Sequence, residues 1–159
     1  MPIVTRSIYI EAPADRVFAY LTDVERHLEW SGEPGLGLER IENITPGPLR
    51  AGSVFKSAGR LLSTAGVEIT STVTEIEPHR RLAWETVSSG ARRRDTFRWA
   101  HTLEPQGQGI RLTYSLEARH FRPKPLRLWF PPLLWFIDHQ IFGREMTTSL
   151  QKIKDALER

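Results

Sequence analysis

The C-terminal end of the chain, from about Leu126 to Leu157, limits the fold more than any other stretch. Trp135, His139, Phe142, Met146, Leu150, Ile153 and Leu157 recur at steps of three and four, which puts them on one helical face. In the last turns the other face carries Arg144, Gln151, Lys152, Lys154 and Asp155, the pattern of an amphipathic helix lying on something apolar. The first half differs. Leu133, Leu134, Phe136, Ile137 and Ile141 make it apolar all round, so it needs cover on more than one side. Pro131 and Pro132 suit its start, because proline in the first turn gives up only an N–H that had no partner. A helix of about 27 residues spans roughly 40 Å, so the remainder of the chain must cradle it.

That remainder alternates. Ile3–Glu11 places Val4, Ile8 and Ile10 on one side and reads as a strand. Pro13 opens a short helix over Ala14–Leu21, with Val17, Phe18 and Leu21 as its apolar stripe. Thr22 or Asp23 is placed to cap a second short helix running through His27 to Trp30. Ser31 to Gly52 is rich in Gly and Pro, with a strand expected over Leu38–Thr45. Further strands are expected over Ser53–Leu62, Val67–Ile76, Leu82–Val87, Arg94–Glu104 and Ile110–Ala118, the last two joined by the turn PQGQG. About seven strands with hairpin-length turns make one antiparallel sheet and an α+β fold. Its inner face needs cover, and only the C-terminal helix is long enough to supply it. A strongly curved sheet on a single helix leaves a cavity at the apolar-rich end.

At 159 residues the chain reads as a single domain, 1–159, large enough to bury a real core. Charged residues at 26% and hydrophobic residues at 40% fit a soluble globular protein. The absence of cysteine excludes disulfides, cysteine-ligated zinc and thiol catalysis. MPIVTRSIYIEAP lacks the basic and apolar blocks of a signal peptide, and a cytoplasmic location is expected. Arg127, the proline pair, Asp138 and His139 interrupt Leu126–Phe142 too often for a transmembrane span. The net charge of +3 comes with basic clusters at Arg92–Arg94, His79–Arg81 and Arg119–Arg127. These read as solvated turns and strand ends, and no nucleic-acid partner is expected.

The order strand, two short helices, six strands and long terminal helix resembles the START/Bet v 1-like (SRPBCC) superfamily. Several stretches carry the likeness to its polyketide cyclase/dehydrase and lipid-transport branch: SIYIEAPADRVFAYLTDVERHLEW, GPLRAGSVF, TEIEPHRRLAWE, HTLEPQGQGIRLTYSLE and the terminal SLQKIKDALER. The resemblance implies a helix-grip fold, a curved seven-stranded antiparallel sheet wrapped around the long C-terminal helix. It says less about function. Members look like binders of apolar or amphipathic molecules, and a minority are cyclases, dehydratases or other catalysts.

Candidate chemistry lies on the expected inner face. Phe97, Trp99, His101 and Leu103 share one side of their strand, with Leu112, Tyr114 and Leu116 on the partner. His101 thus points toward the helix, and His139 lies on the helix stripe between Trp135 and Phe142. Two histidines facing one cavity would form a general acid/base pair poised near neutral pH. Each also fits a ligand contact or a packed core position. Phe55, Trp84, Phe97, Trp99, Tyr114, Trp135, Phe142 and Met146 complete the inward set, and rigid rings suit a pocket for a flat ligand. No metal is expected, because no histidines stand four apart and no carboxylate accompanies them at helical spacing on the cavity face. Glu68, Glu75 and Glu85 read as solvated carboxylates on wet strand faces. No phosphate loop, dinucleotide fingerprint or nucleophile elbow is present, and no cofactor is expected.

Three functions remain compatible with these residues. One is binding of a hydrophobic or aromatic small molecule that is polyketide-, lipid- or quinone-like. Another is a metal-free polyketide cyclase or dehydratase using His101 and His139. The last is a membrane- or protein-docking module, making peripheral membrane contact or a homodimer through Leu128–Ile137. Within that apolar segment, Leu128–Phe136 follows Pro123 and Pro125 and is expected to border the pocket mouth as a gate, unless it is core or interface.

Overall fold

In a computed structural model of the chain, the backbone is described for residues 4–33, 36–61, 64–90, 93–120 and 131–159. Side chains are described for 4–31, 38–59, 68–88, 96–117, 139, 140 and 142–159. Strand β1 (Val4–Ile10) leads into helix α1 (Ala14–Thr22), a 3-10 turn (Val24–Arg26) and the single turn α2 (His27–Trp30). Strands β2 (Gly32–Glu33), β3 (Leu36–Asn43), β4 (Val54–Leu61), β5 (Thr64–Glu77), β6 (Arg81–Gly90), β7 (Arg93–Gln106) and β8 (Gly109–His120) follow. Helix α3 (Pro131–Leu157) closes the described elements.

All seven strands expected from alternation are present, and β2 adds an eighth at the edge beside β3. Two residues are too few to show a period, so β2 is invisible in the sequence. The sheet is antiparallel throughout, in the order β1-β8-β7-β6-β5-β4-β3-β2. From β2 to β8 each strand pairs with its neighbour in sequence, whereas β1 reaches the far edge and pairs with β8. The α1–α2 segment makes the crossing between those edges. Register shifts interrupt the ladders between Leu38 and Arg40, Gly59 and Leu61, Val73 and Glu75, and Thr96 and Phe97. Such bulges bend the strand that carries the extra residue and increase its twist, and they accompany the curvature of this sheet.

The end of β1 shows how closely the elements meet. The β7–β8 turn brings Gly109 against it, where a side chain would overlap the Ile10 carbonyl. On the helix side the clasp is polar. Lys154 Nζ donates to the Tyr9 carbonyl at 2.8 Å, and Glu158 Oε1 accepts from the Glu11 N–H at 2.7 Å.

Helix α3 packs along β1 and against β8, α2 and β2. Met146, Leu150, Ile153 and Leu157 are buried in one cluster with Ile10, Val17, Leu21, Leu112 and Leu116. His139 and Phe142, earlier on the same stripe, are half-buried, and the Trp135 side chain lies outside the described residues. Asp23 does stand at the start of the 3-10 turn, but neither it nor Thr22 caps through its side chain. Thr22 Oγ1 instead donates back to the Phe18 carbonyl at 2.9 Å, and the Asp23 carboxylate pairs with Arg26 Nε at 3.1 Å. A turn that begins as 3-10 geometry does not present the N–H group an α-helical cap would take. Glu75 is likewise more than a solvated carboxylate. Its Oε2 accepts from Arg81 Nε at 2.9 Å and Arg98 Nη2 at 3.2 Å, bridging three strands on the outer face. Among the described residues no helix is long and apolar enough to cross a membrane.

Candidate functional site

The inner face of the sheet is not filled completely. A cavity of about 110 Å³ lies between strands β3–β8, α2 and α3. Alternation aims Phe55 and Ser57 of β4, Ser71 of β5, Trp84 and Thr86 of β6, Trp99 of β7 and Tyr114 of β8 at it. His27 and Trp30 enter from α2, and Glu145 from α3. The wall is mostly apolar and rich in aromatic rings. Its polar interruptions are hydroxyls, the His27 ring and the Glu145 carboxylate, and Ser71 and Thr86 already share a hydrogen bond of 3.1 Å across β5 and β6.

Four of the eight expected ligand-contact residues line this space: Phe55, Trp84, Trp99 and Tyr114. Phe97 and Phe142 pack on each other nearby, with ring centres 6.3 Å apart, and Met146 is fully buried in the core beneath α3. The eighth, Trp135, carries a side chain outside the described residues. Sequence reasoning missed His27, Trp30 and Glu145. For the first two the signal was present: they stand three apart on a helical turn and so share a face. Nothing local said that this face closes the cavity.

His101 shares the inner face with Trp84 and Tyr114 but does not line the cavity. It is 0% exposed and stacks on Tyr114, with ring centres 4.2 Å apart and planes at 13°, and on Trp84 at 5.4 Å. Trp30 meets it edge-on at 5.5 Å. Neither ring nitrogen has a hydrogen-bond partner among the described residues. Burial, and secondarily the nearby His27, pushes its pKa down from 6.5 to about 3. His27 is buried beside Trp30, Phe55 and Trp84, and its Nε2 lies 2.8 Å from the Leu21 carbonyl. Burial lowers its pKa to about 4, with the Leu21 carbonyl and Asp23 opposing the shift. Tyr114 is pushed well above the usual phenol range by burial and by the charge of Glu145.

At neutral pH both buried histidines are uncharged, and the Tyr114 phenol holds its proton. His139 is half-buried on α3, and neither it nor His101 lines the described cavity. The arrangement presents a mostly apolar, π-rich surface with a few hydroxyls, the His27 ring and the Glu145 carboxylate. Among the described residues no group of three or more His, Asp or Glu side chains is placed to hold a metal ion.

Comparison with known proteins agrees with the architecture. The family described as polyketide cyclase / dehydrase and lipid transport matches over residues 1–158. No curated protein matches. Solved structures share the fold at low identity. A Chromobacterium violaceum protein is 16% identical, with 99% of this chain and 97% of that chain covered and a TM-score of 0.69. A Rhizobium leguminosarum protein is 13% identical over 99% and 95%, also at 0.69. A protein of the dynemicin biosynthetic locus is 18% identical, covering 98% of this chain and 47% of that one, at 0.58.

Proposed function

The chain belongs to the polyketide cyclase / dehydrase and lipid transport family, and from that premise we propose that it binds a hydrophobic or aromatic small molecule. The ligand is polyketide-, lipid- or quinone-like and sits between the sheet and the C-terminal helix. The observation that carries this reading is the cavity itself, walled by Trp30, Phe55, Trp84, Trp99 and Tyr114. A core that served packing alone would close such a space, because protein interiors reach the density of organic crystals. At about 110 Å³ the space takes a single ring or the end of a chain. A larger ligand requires side chains around it to move, as rotamers at binding sites commonly do.

The enzymatic alternative rests on His101 and His139. With a pKa of about 3, His101 is a weak base and carries no proton to donate as imidazolium at pH 7. It is also packed against Trp84 and Tyr114 and does not line the cavity. The docking alternative rests on Leu128–Ile137, whose side chains lie outside the described residues.

Tryptophan fluorescence tests the binding reading, since Trp30, Trp84 and Trp99 all line the cavity. Titration with polycyclic aromatics, quinones and fatty acids is expected to give a saturable change with at least one class. Ser57→Leu, which fills the space from β4, is expected to weaken that binding by about tenfold, roughly 1.4 kcal/mol. No saturable response from any class, or unchanged affinity in the filled variant, overturns the assignment.

A further inference from the structure

On β1 the inward positions are Val4, Arg6, Ile8 and Ile10, so an arginine stands where the pattern calls for an aliphatic residue. Directly across on β8 is Tyr114. The Arg6 side chain runs to α3 and rests on Gly143, where a Cβ would overlap Arg6 Nη2 and come within 3.0 Å of Cζ. Glycine is the least favoured residue but proline in a helix interior, and Gly143 is buried in the middle of α3. Its missing side chain is the notch that seats the guanidinium. A second tether holds the group in place: Arg6 Nη1 donates to the Thr5 carbonyl at 2.8 Å.

This seated arginine lines a surface cleft of about 280 Å³, separate from the aromatic cavity, together with Gln140, Arg144, Thr147 and Thr148. Arg144 lies next to Gly143 in sequence and is exposed. Among the described residues neither arginine has an ion-pair partner and no carboxylate lines the cleft. Thr147 uses its hydroxyl proton on the Gly143 carbonyl at 2.8 Å, so among the described residues the nitrogen donors on offer are the two guanidiniums and the Gln140 amide. Two forked cations from different elements, one immobilised before any ligand arrives, suit a group with three terminal oxygens better than a single carboxylate.

We propose that the cleft between β1 and α3 is a binding site for a phosphate monoester group, held between Arg6 and Arg144. The same chemistry occurs on a soluble phosphorylated molecule and on the headgroup of phosphatidic acid. Calorimetric titration of the full chain with inorganic phosphate and phenyl phosphate at constant ionic strength covers the first source. Co-sedimentation with phosphatidylcholine vesicles, with and without phosphatidic acid, covers the second.

Saturable binding in either arm is expected, and which arm responds identifies the source. Arg6→Gln is expected to weaken it about tenfold or more, the scale of losing a charge-assisted hydrogen-bonding partner. Gly143→Ala is expected to do the same by pushing the guanidinium out of its notch, while thermal stability holds or rises because alanine favours the helix. A structural role for the notch alone would move stability and leave anion affinity untouched. Absence of saturable binding in both arms, or affinity unchanged in Arg6→Gln or in Gly143→Ala, overturns the proposal.

Discussion

Lowering the pH from 7 to 4.5 is expected to reduce the stability of the fold by about 5 kcal/mol, through two buried imidazoles. His27 and His101 have native pKa values of about 4 and about 3, against 6.5 for the free side chain. Between 6.5 and those values the unfolded chain binds protons that the native state refuses. Stability is therefore fully present above about pH 6.5, and is lost as pH falls toward 4 for His27 and toward 3 for His101. Each pH unit across that window costs about 1.4 kcal/mol per histidine. A domain of this size holds only about 5–15 kcal/mol in total, so the loss is about a third of that stability or more.

Urea unfolding at pH 7 and at intervals down to 4.5 measures the effect. His101→Phe isolates half of it. Phenylalanine keeps the stack on Tyr114 and Trp84, removes two buried nitrogens without partners among the described residues, and cannot titrate. The variant is expected to match or exceed the wild type at pH 7 and to lose only about half as much stability on acidification. Identical acid profiles for the two proteins would show that His101 is protonated or hydrogen-bonded in the native state.

Removing the side chain of Leu150 or Ile153 is expected to destabilise the protein by about 2–5 kcal/mol, the transfer cost of the lost atoms plus the cavity they leave. Leu150 is 2% exposed and Ile153 is 0% exposed, both within the main core cluster. The site has little freedom to collapse. On one side α3 is held to β1 by the bonds of Lys154 and Glu158 to Tyr9 and Glu11, and on the other the sheet is continuous. Gln151→Ala, between them on the exposed face, is expected to stay within about 0.5 kcal/mol. Denaturant midpoints at pH 7 separate the outcomes, and losses below about 0.5 kcal/mol at both core positions would mean the helix face is wrongly assigned.

Much of this architecture is legible in the sequence, because helices and strands write their periods into it. Steps of three and four from His139 to Leu157 mark the buried face of α3, and alternation marks Trp84, Trp99, His101 and Tyr114 as inward. Chain order and turn length then leave one antiparallel sheet with one long helix to cover it. Local pattern also accounts for the miss at β2, where two residues carry no period.

Tertiary structure decided the rest, because the site depends on what arrives from elsewhere in the chain. An inward histidine can be a catalyst or a packed ring, and the choice depends on its solvent. Trp30 from α2, Trp84 from β6 and Tyr114 from β8 exclude water from His101 and turn it into a neutral member of an aromatic stack. In sequence His27 and Trp30 read as part of a short connecting helix, and only the crossing from β1 to β2 sets them over the sheet. Arg6 and Gly143 break the local pattern in a strand and in a helix near opposite ends of the chain. Each exception accommodates the other, which only their approach in space could reveal. Periodicity is a property of neighbours along the chain and determined which way side chains face. Desolvation and steric fit are properties of neighbours in space, and they determined what those side chains can do.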